Sequence, residues 1–427
     1  MSFARVEEVF KLNEGERVRL RGWVYNARVQ GGLAFIDLRD STGIVQVTIK
    51  KHELKNPPFE SIVNELKREA SLSLEGYVRH DPRAPNGVEI LCESLEIIGK
   101  SEEYPIRKGV GTKFLLDHRH LYLRRQKFQA VLKIREKAVE AAEEWFRMNG
   151  FHLVHCPSFV IAACEGGATL FNVDYFGKVV HLTQSSQLYL EAAIFGLEKV
   201  YTIQPSFRAE KSKTKKHLTE FWHIEAEVAF ATHEDIMNYE EDLVSYIVNK
   251  VVDETQKELE LLGRQFEKPK RPFLRLTYAQ AVELVNKKGI KMNFGDDFGT
   301  DAEKLIANSI DRPAFVMFFP VSTRAFYHMP NPEDPNLTLS SDLYAPGEGE
   351  ITSGGQRIHD LDLLLRRLKE YNLNPEDYKW YIDLRRYGSV PHAGFGLGLE
   401  RLVKWITGVN HIRNTVPFPR TPFRVYP

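Results

Sequence analysis

The sequence predicts an α+β protein with a small all-β barrel at its N-terminus and a larger mixed domain after it. The chain has 427 residues, more than one ordinary hydrophobic core holds, so two or three domains are expected. The first hundred residues contain short segments in which apolar and polar residues alternate, as in half-buried strands. Beyond residue 116, segments with apolar residues at helical spacing are interspersed with strand-like segments.

The first three predicted strands cover residues 17–25, 33–38 and a segment that follows Asp40–Gly43. Each alternates between apolar residues on one face and polar or aromatic residues on the other. Phe35 and Gln46 fall on the outward faces of the second and third strands. The residues predicted to point inward are Val18, Leu20, Gly22 and Val24, then Ala34, Ile36 and Leu38, then Val45, Val47 and Ile49.

A helix over about 53–68 and two further strands, near 70–79 and 87–97, complete this part of the chain. Five short strands with a helix between the third and fourth form the order of an OB fold, which binds oligonucleotides through outward aromatic and basic residues. Arg28, Phe35 and Gln46 occupy suitable positions, although an exposed phenylalanine alone is more often incidental. The expected domains are an OB fold over 1–100, a hinge over 101–115 and a mixed domain over 116–427 with an internal extension over 231–340.

Composition limits the possible partners and surroundings of the protein. Lys plus Arg equals Asp plus Glu, at 58 each, so any nucleic acid must be bound by local patches rather than by the overall field. No apolar run approaches the ~20 residues of a membrane span. The N-terminus lacks the apolar core of a secretory signal, which makes the cytoplasm the expected location. Cys92, Cys156 and Cys164 form no C-x-x-C pair, which argues against a disulfide framework or a structural zinc site.

Two motifs far apart in the sequence each supply an arginine beside groups suited to a nucleotide. The first comprises Phe207–Glu210 and His217–Phe221, and the second is Gly394–Arg401. A guanidinium is always charged, and its donors match phosphate or carboxylate oxygens. Phe221 offers a face for stacking adenine, and Arg401 could cover the opposite face of the base. Read separately, the first motif fits an ordinary ion pair and the second a packed glycine strand; the second lacks the spacing of a dinucleotide fingerprint.

Together these segments are similar to the second and third signature motifs of class II aminoacyl-tRNA synthetases, and the chain resembles that class over nearly its whole length. The resemblance implies that residues 116–427 form a catalytic domain built on an antiparallel β-sheet flanked by helices. A helix ending at Gly150, then a strand over 151–155 and Pro157, resembles the first motif, which implies a homodimer interface. An amphipathic core helix explains that segment equally well. The apolar residues at helical spacing in it are Val131, Ile134, Ala138, Ala142 and Trp145.

The N-terminal part resembles the anticodon-binding domain of the aspartyl/asparaginyl subfamily. The resemblance rests on Gly22–Val24, Arg28 and Phe35–Asp40. It implies that Phe35 stacks on an anticodon base and that Arg28 and Gln46 contact neighbouring bases. The tRNA anticodon residues are thus expected to be Arg28, Phe35 and Gln46.

The resemblance also implies roles in the mixed domain. The catalytic residues would be Arg208, Glu210 and Arg401. The ATP-binding residues would be Arg208, Glu210, Lys216, His217, Leu218, Phe221, Glu350, Gly398, Glu400 and Arg401. The amino-acid-binding residues would be Glu165, Ser185, Gln187, Leu190, Arg208, Glu225, Ser353 and Arg357. Of these, Glu165 and Gln187 would hold the substrate ammonium, because a primary amine needs acceptors around it. Mg²⁺ would be held by Asp342, Glu350 and Ser353, because hard oxygen ligands suit this ion, although two acids on one stretch are more often a solvated turn.

Three residues predict which amino acid is bound. In the family, the arginine that matches Arg357 meets the far end of the substrate. Aspartyl enzymes have a lysine where this chain has Leu190 and an aspartate where it has Glu225. Arg357 can donate to an amide oxygen and Glu225 can accept from an amide NH₂, whereas a substrate carboxylate would meet like charge in a desolvated pocket. The alternative is that Leu190 merely packs and that discrimination lies elsewhere.

Asparagine is therefore the predicted substrate. The chain would activate L-asparagine with ATP and Mg²⁺ to asparaginyl-AMP and transfer it to tRNA(Asn), as archaeal members of the subfamily do, in the form of a homodimer without a membrane partner. Three alternatives stay open. They are an aspartyl-tRNA synthetase, including one that charges two tRNAs; a tRNA-independent ligase that makes asparagine from aspartate and ammonia; and a non-catalytic OB-fold RNA-binding protein. The intact OB segment disfavours the second, and the intact ATP motifs disfavour the third.

Overall fold

The computed structural model describes residues 2–165, 169–212 and 214–427. Met1, Gly166–Ala168 and Lys213 therefore lie outside the described residues. Gly166–Ala168 belong to the segment after Glu165 that, by the family resemblance, is expected to line the amino-acid pocket. The chain divides into two compact units, Met1–Thr112 and Lys113–Pro427. Among the described residues, none of the helices combines the length and the apolar character that a bilayer crossing needs.

The first unit is a closed five-stranded barrel in which the strands follow the order β1-β2-β3-β5-β4. This order confirms the predicted OB fold. One detail was wrong: the helix expected over 53–68 is a single turn, because Pro57 and Pro58 cannot donate helical hydrogen bonds and hold the chain extended before it. The elements are α1 (Val6–Val9), β1 (Arg17–Gln30), β2 (Leu33–Arg39), β3 (Ile44–Lys50), α2 (Phe59–Ile62), β4 (Ser71–His80) and β5 (Val88–Gly99).

The barrel interior consists of the residues that the alternation predicts. The inward residues of β2 and β3 are each at most 1% exposed, while Phe35 and Gln46 lie on the other face and are half-buried. Gly22 is required for closure between β1 and β2, since a Cβ there would come within 2.4 Å of the Arg39 carbonyl oxygen. A slip of one residue would reverse the faces of a strand, so burial of this set fixes the register.

The second unit is built on an eight-stranded sheet of order β12-β13-β14-β15-β16-β11-β10-β6, and a separate three-stranded sheet has the order β7-β9-β8. Neighbouring strands of the large sheet are antiparallel except for the pairs β12–β13 and β10–β6. The strands are β6 (His152–Leu153), β7 (Phe159–Val160), β8 (Asn172–Tyr175), β9 (Lys178–Leu182), β10 (Lys199–Phe207), β11 (Glu220–Ala229), β12 (Leu274–Thr277), β13 (Ala314–Met317), β14 (Ser340–Ala345), β15 (Gly349–Gln356) and β16 (His392–Gly398).

Helices pack against the large sheet, and its principal hydrophobic core lies between the sheet and α5, α7 and α13. The five residues predicted at helical spacing on α5 are all at most 2% exposed, and Gly150 follows the helix with φ +76°. The helices are α3 (Thr112–Asp117), α4 (Arg119–Tyr122), α5 (Gln126–Met148), α6 (Gln187–Leu197), α7 (His233–Glu254), α8 (Gln256–Leu262), α9 (Tyr278–Lys287), α10 (Thr300–Asn308), α11 (Leu361–Glu370), α12 (Lys379–Arg386) and α13 (Leu399–Thr407).

In the segment 231–340, residues 234–262 have a sequence typical of one helical stretch, but they form two helices, α7 and α8. The break falls at Thr255, whose φ of −123° is not helical and whose hydroxyl donates to the Val251 carbonyl oxygen at 2.7 Å. The strands β12 and β13 of this segment lie at one end of the eight-stranded sheet. The segment therefore shares the sheet of the second unit.

Candidate active site

A cavity of about 250 Å³ is lined by β11, β15, β16 and the loops around them. The antiparallel register sets this wall, since Glu225 of β11 and Ser353 of β15 both lie opposite Gly396 of β16. Alternate residues of a strand share one face. The residues of β11 that line the cavity on this basis are Phe221, His223, Glu225 and Glu227.

Gly394 allows Glu227 to lie over β16. A Cβ at Gly394 would come within 2.1 Å of the carboxyl group of Glu227, so any side chain there would displace it. At Gly396 the nearest atom to a Cβ, from Glu225, is 3.7 Å away, which is an ordinary contact. The glycines of β16 therefore leave the space in which the glutamates of β11 form the cavity wall.

The arginines of the two sequence motifs reach this cavity. The Arg208 guanidinium lies 5.4 Å from the centre of the Phe221 ring. Arg401 donates to the Glu350 carbonyl oxygen at 2.9 Å and lies 3.0 Å from its carboxylate. Burial favours a low pKa for Arg401, but Glu350 outweighs it and the pKa is raised. Burial likewise opposes ionisation of Glu350, yet Arg401 and Arg324 hold its pKa below the usual range.

The basic residues after the first motif are held by neighbours. Lys216 Nζ lies 3.1 Å from a carboxylate oxygen of Glu303 on α10, a partner that no sequence motif indicated. His217 Nδ1 lies 2.5 Å from the hydroxyl of Thr214. Burial and the nearby Arg401 lower the pKa of His217, so its imidazole is neutral at pH 7.

At the other end of the cavity, Arg357 forms a fully buried ion pair with Glu227. Its Nη2 and Nε lie 2.6 Å and 3.1 Å from the same carboxylate oxygen. Nη1 has no hydrogen bond to the described residues. Burial raises the pKa of Glu227 and Arg357 opposes this, while Glu227 keeps Arg357 protonated. Arg357 thus offers a hydrogen-bond donor whose charge is already balanced.

Glu225 is the second carboxylate at this end. Its Oε1 accepts from the hydroxyl of Ser185 and its Oε2 accepts from the Ser186 amide at 2.8 Å. Burial raises the pKa of Glu225, and these hydrogen bonds oppose the rise. Nearby, Glu165 accepts from the Tyr327 hydroxyl at 2.8 Å. This end of the cavity therefore presents several acceptors beside the Arg357 guanidinium.

Leu190 does not line the cavity, against the sequence prediction. It is fully buried in a small cluster with Ile194 and Val200. The residue lies on α6, where tight packing against β10 decides its surroundings. The structure therefore agrees with the alternative in which Leu190 packs.

The predicted magnesium residues lie on neighbouring strands, where Asp342 pairs in register with Ser353. Arg324 donates to Asp342 Oδ2 at 2.5 Å, and Oδ1 is buried without a hydrogen bond to the described residues. Burial raises the pKa of Asp342 to about 6; Arg324 opposes this and Glu350 adds to it. A buried oxygen without a donor, close to a second carboxylate, fits a divalent cation. Within the described ranges no cluster of three or more acidic, histidine or cysteine side chains could hold a metal by itself.

The structure brings most of the predicted residues of the second unit together around this cavity; Leu190 and Asp342 are the two outside its described wall. The predicted wall residues are Glu165, Ser185, Gln187, Arg208, Glu210, Lys216, His217, Leu218, Phe221, Glu225, Glu350, Ser353, Arg357, Gly398, Glu400 and Arg401. Sequence reasoning missed others, of which strand alternation could have found the first two: His223, Glu227, Thr323, Arg324, Tyr327 and His328.

The predicted anticodon residues lie on the barrel of the first unit. Arg28 and Phe35 pair in register across β1 and β2, and the guanidinium lies 5.9 Å from the ring centre. The Gln46 amide donates to Glu89 at 2.7 Å. Arg28 and Phe35 thus form one polar and aromatic patch, whereas Gln46 already has a protein partner.

Two family models match the chain. Residues 111–422 match the class II tRNA synthetases (D, K and N), and residues 18–98 match the OB-fold nucleic acid binding domain. The first match alone covers more than half of the chain.

Known proteins resemble the chain over nearly its full length. The asparagine–tRNA ligase of Pyrococcus horikoshii is 47% identical over 428 residues, which cover 99% of this chain and 98% of that protein. A crystal structure of asparaginyl-tRNA synthetase from Pyrococcus horikoshii, complexed with asparaginyl-adenylate, superposes with a TM-score of 0.96, 46% identity and full coverage of both chains. Aspartyl tRNA synthetase from Entamoeba histolytica has a TM-score of 0.89 at 29% identity, over 100% of this chain and 93% of that one.

Proposed function

Because the chain belongs to the class II tRNA synthetases of the D, K and N group, we propose that it is an asparagine–tRNA ligase, which activates L-asparagine with ATP and transfers it to tRNA. The choice of asparagine rests on one observation: Arg357 and Glu225 line the same cavity. Among the described residues of the cavity wall, Lys216 is the only lysine. Lys216 is itself paired with Glu303. The amino-acid end therefore has a donor and an acceptor for an amide.

In the first step a carboxylate oxygen of asparagine attacks the α-phosphorus of ATP, and the bond to the β-phosphate breaks to release pyrophosphate. The reaction needs positioning and charge stabilisation more than covalent help from the protein. Arg208 is suited to hold the carboxylate against the α-phosphate, since its planar donors match both groups. The ring of Phe221, backed by Leu218 and Ile412, is suited to stack on adenine.

The outer phosphates of ATP would meet Lys216, His217 and Arg401 on the cavity wall. Lys216 and Arg401 now pair with Glu303 and Glu350, so bound phosphate would compete with these carboxylates. Neutral His217 can donate a hydrogen bond without adding charge. The two cations stabilise the charge that collects on pyrophosphate as it leaves.

Asp342, Glu350 and Ser353 are the residues that would hold Mg²⁺. When bound, this ion neutralises phosphate charge and fixes the geometry of the triphosphate. Arg324 keeps Asp342 oriented by its bond to Oδ2, which leaves Oδ1 for a further ligand.

Selection of the amide follows from charge. An amide oxygen can accept from Arg357 and an amide NH₂ can donate to Glu225. A carboxylate in the same place would face Glu225 and Glu227, and Arg357 is already shared with Glu227. Buried like charges are unfavourable, and a site built from hydrogen bonds to the correct group rejects the wrong one strongly.

In the second step the terminal ribose hydroxyl of tRNA attacks the carbonyl carbon of the adenylate; AMP leaves, and its phosphate takes the hydroxyl proton. Phe35 and Arg28 would contact anticodon bases on the barrel. We also propose that the chain forms a homodimer through the α5 region and acts in the cytoplasm, where its tRNA substrate is used.

ATP–pyrophosphate exchange with each amino acid tests this function. Exchange is expected with asparagine, and with aspartate only at a far lower kcat/KM. Efficient exchange with aspartate and none with asparagine would overturn the assignment. Aminoacylation of tRNA(Asn) with radiolabelled asparagine then tests the second step, and formation of free asparagine from aspartate and ammonia would point to a tRNA-independent ligase instead.

A further inference from the structure

Beneath the amino-acid end of the cavity lies a fully buried carboxylate to which no role has been assigned. Glu191 is on α6, one turn after Gln187, so the two side chains are neighbours on the helix. Glu191 is 0% exposed and does not line the cavity, whereas Gln187 does. The Gln187 side-chain nitrogen lies 3.0 Å from Oε1 of Glu191.

The other oxygen of Glu191 is fixed by three groups from outside α6. Oε2 accepts from the Tyr381 hydroxyl at 2.6 Å and from Arg385 Nη2 at 2.7 Å, and His392 Nε2 lies 2.9 Å from it. Arg385 and His392 are also 0% exposed at their side chains. These three contacts hold Oε2 in place and thereby direct Oε1 of Glu191 to Gln187.

Glu191 is ionised in this network. Burial opposes ionisation, but Arg385 and His392 outweigh it and lower the pKa of Glu191. An ionised carboxylate only accepts hydrogen bonds, so the end of the Gln187 amide that faces it has to be the NH₂. The Gln187 carbonyl oxygen is then left for the cavity.

We infer that Glu191 is a positioning residue for recognition of the substrate α-ammonium group: it fixes the Gln187 amide so that its carbonyl oxygen, and not its NH₂, faces the amino acid. This inference rests on the proposed function, because it takes the ligand to be an amino acid. A primary ammonium has three donors and no acceptor, so a misoriented Gln187 would present a donor to a donor. Buried hydrogen bonds to charged groups are the strong ones, which makes the orientation of one amide matter.

The decisive experiment is a double-mutant cycle with Glu191→Gln and Gln187→Met, followed by ATP–pyrophosphate exchange. Glu191→Gln replaces the fixed acceptor by an amide that can pair with Gln187 in either orientation. We expect the KM for asparagine to rise at least about tenfold while the KM for ATP changes by less than about twofold. In the Gln187→Met background, Glu191→Gln should add almost nothing to the KM for asparagine, because the amide it orients is gone.

Glu241→Gln is the matched control. It is the same substitution at a buried glutamate of α7 that pairs with Arg271, outside the cavity wall, and it should leave the KM for asparagine unchanged. Should Glu191→Gln fail to fold, Glu191→Asp keeps the charge for Arg385 but withdraws Oε1 from Gln187, and it should raise the same KM. An unchanged KM in Glu191→Asp, or a full effect of Glu191→Gln in the Gln187→Met background, would overturn the inference. Absence of asparagine-dependent exchange in the unmodified protein would instead contradict the proposed function.

Discussion

Glu225 is the acidic side chain on which the proposed selection of an amide over a carboxylate depends. Both of its oxygens accept from the segment around Ser185, so the carboxylate cannot turn away from the cavity. An amide NH₂ would gain a hydrogen-bond acceptor there, whereas a substrate carboxylate would lie against a second carboxyl group in a buried place. Charge, rather than shape, separates the two substrates, because asparagine and aspartate are nearly isosteric.

Glu225→Gln should therefore reduce the preference for asparagine. The substitution keeps the size of the side chain and removes the charge that disfavours aspartate. We expect the ratio of kcat/KM for asparagine over aspartate to fall by about tenfold or more, with asparagine itself used less well. ATP–pyrophosphate exchange with both amino acids measures this ratio.

Glu220→Gln is the control for this prediction. Glu220 is the first residue of the same strand, is exposed and lies outside the cavity wall. Its replacement should leave the ratio unchanged. If Glu225→Gln kept the full preference for asparagine, the amide-binding role of Glu225 would be wrong, and Arg357 with Glu227 would remain as the discriminating pair.

Helix α7 has a buried glutamate, Glu240, that packs against a strand of the candidate site. Glu240 is 0% exposed and accepts from the Thr352 hydroxyl of β15, and its Oε1 has no hydrogen bond to the described residues. Burial raises the pKa of Glu240 from 4.5 to about 8. The folded protein therefore binds a proton there more tightly than the unfolded chain does.

This difference predicts a dependence of stability on pH with a definite sign. The contribution of Glu240 is complete below pH 4.5 and is lost as the pH rises through about 8, because the buried group then has to ionise. Glu240→Gln imitates the protonated form and cannot ionise. Between pH 5 and pH 8, the free energy of unfolding of the wild type should fall by about 3 kcal/mol relative to this variant.

Denaturant unfolding of both proteins at several pH values measures the difference. Glu254→Gln, at a partly exposed position near the end of the same helix, should follow the wild type at every pH. Parallel curves for the wild type and Glu240→Gln would show that Glu240 is ionised already at pH 5.

The elements that sequence reasoning predicted well are those whose own residues determine them. The barrel strands follow from alternation, and α5 follows from residues such as Ile134 and Ala138. The errors in the predicted helices have local causes: Pro57 and Pro58 shorten α2, and Thr255 divides α7 from α8. Propensity averaged over a long window does not detect such breaks.

The site was predictable where a motif carries it and not where the fold assembles it. Arg208 and Arg401 lie in recognisable motifs and both reach the cavity. Arg324 and Glu303 come from the segment 231–340, which has no motif, and only the sheet brings them beside Asp342 and Lys216. The prediction that Leu190 lines the amino-acid pocket was wrong, because a sequence motif gives the position of a residue in the chain but not the direction of its side chain.

In the proposed function, the two compact units of the chain have different roles. All the residues assigned to ATP and asparagine belong to the unit Lys113–Pro427, and all those assigned to the anticodon belong to the barrel. Adenylate formation involves no tRNA, so damage to the barrel surface should spare it. In the proposed function, only the transfer step uses residues of both units.

Phe35→Ala is the test of this division. The ring is half-buried on the outer face of β2 beside Arg28, and its loss removes a stacking surface but no core residue. Because stacking of a base on an aromatic ring contributes about 1–3 kcal/mol, the KM for tRNA in aminoacylation should rise about tenfold or more. Asparagine-dependent ATP–pyrophosphate exchange without tRNA should stay at the wild-type rate. Phe3→Ala, which removes an exposed aromatic ring of the same unit beside Arg19, should change neither measurement. An equal loss of exchange in Phe35→Ala would mean that the barrel supports the catalytic unit itself, and an unchanged KM for tRNA would place anticodon recognition elsewhere.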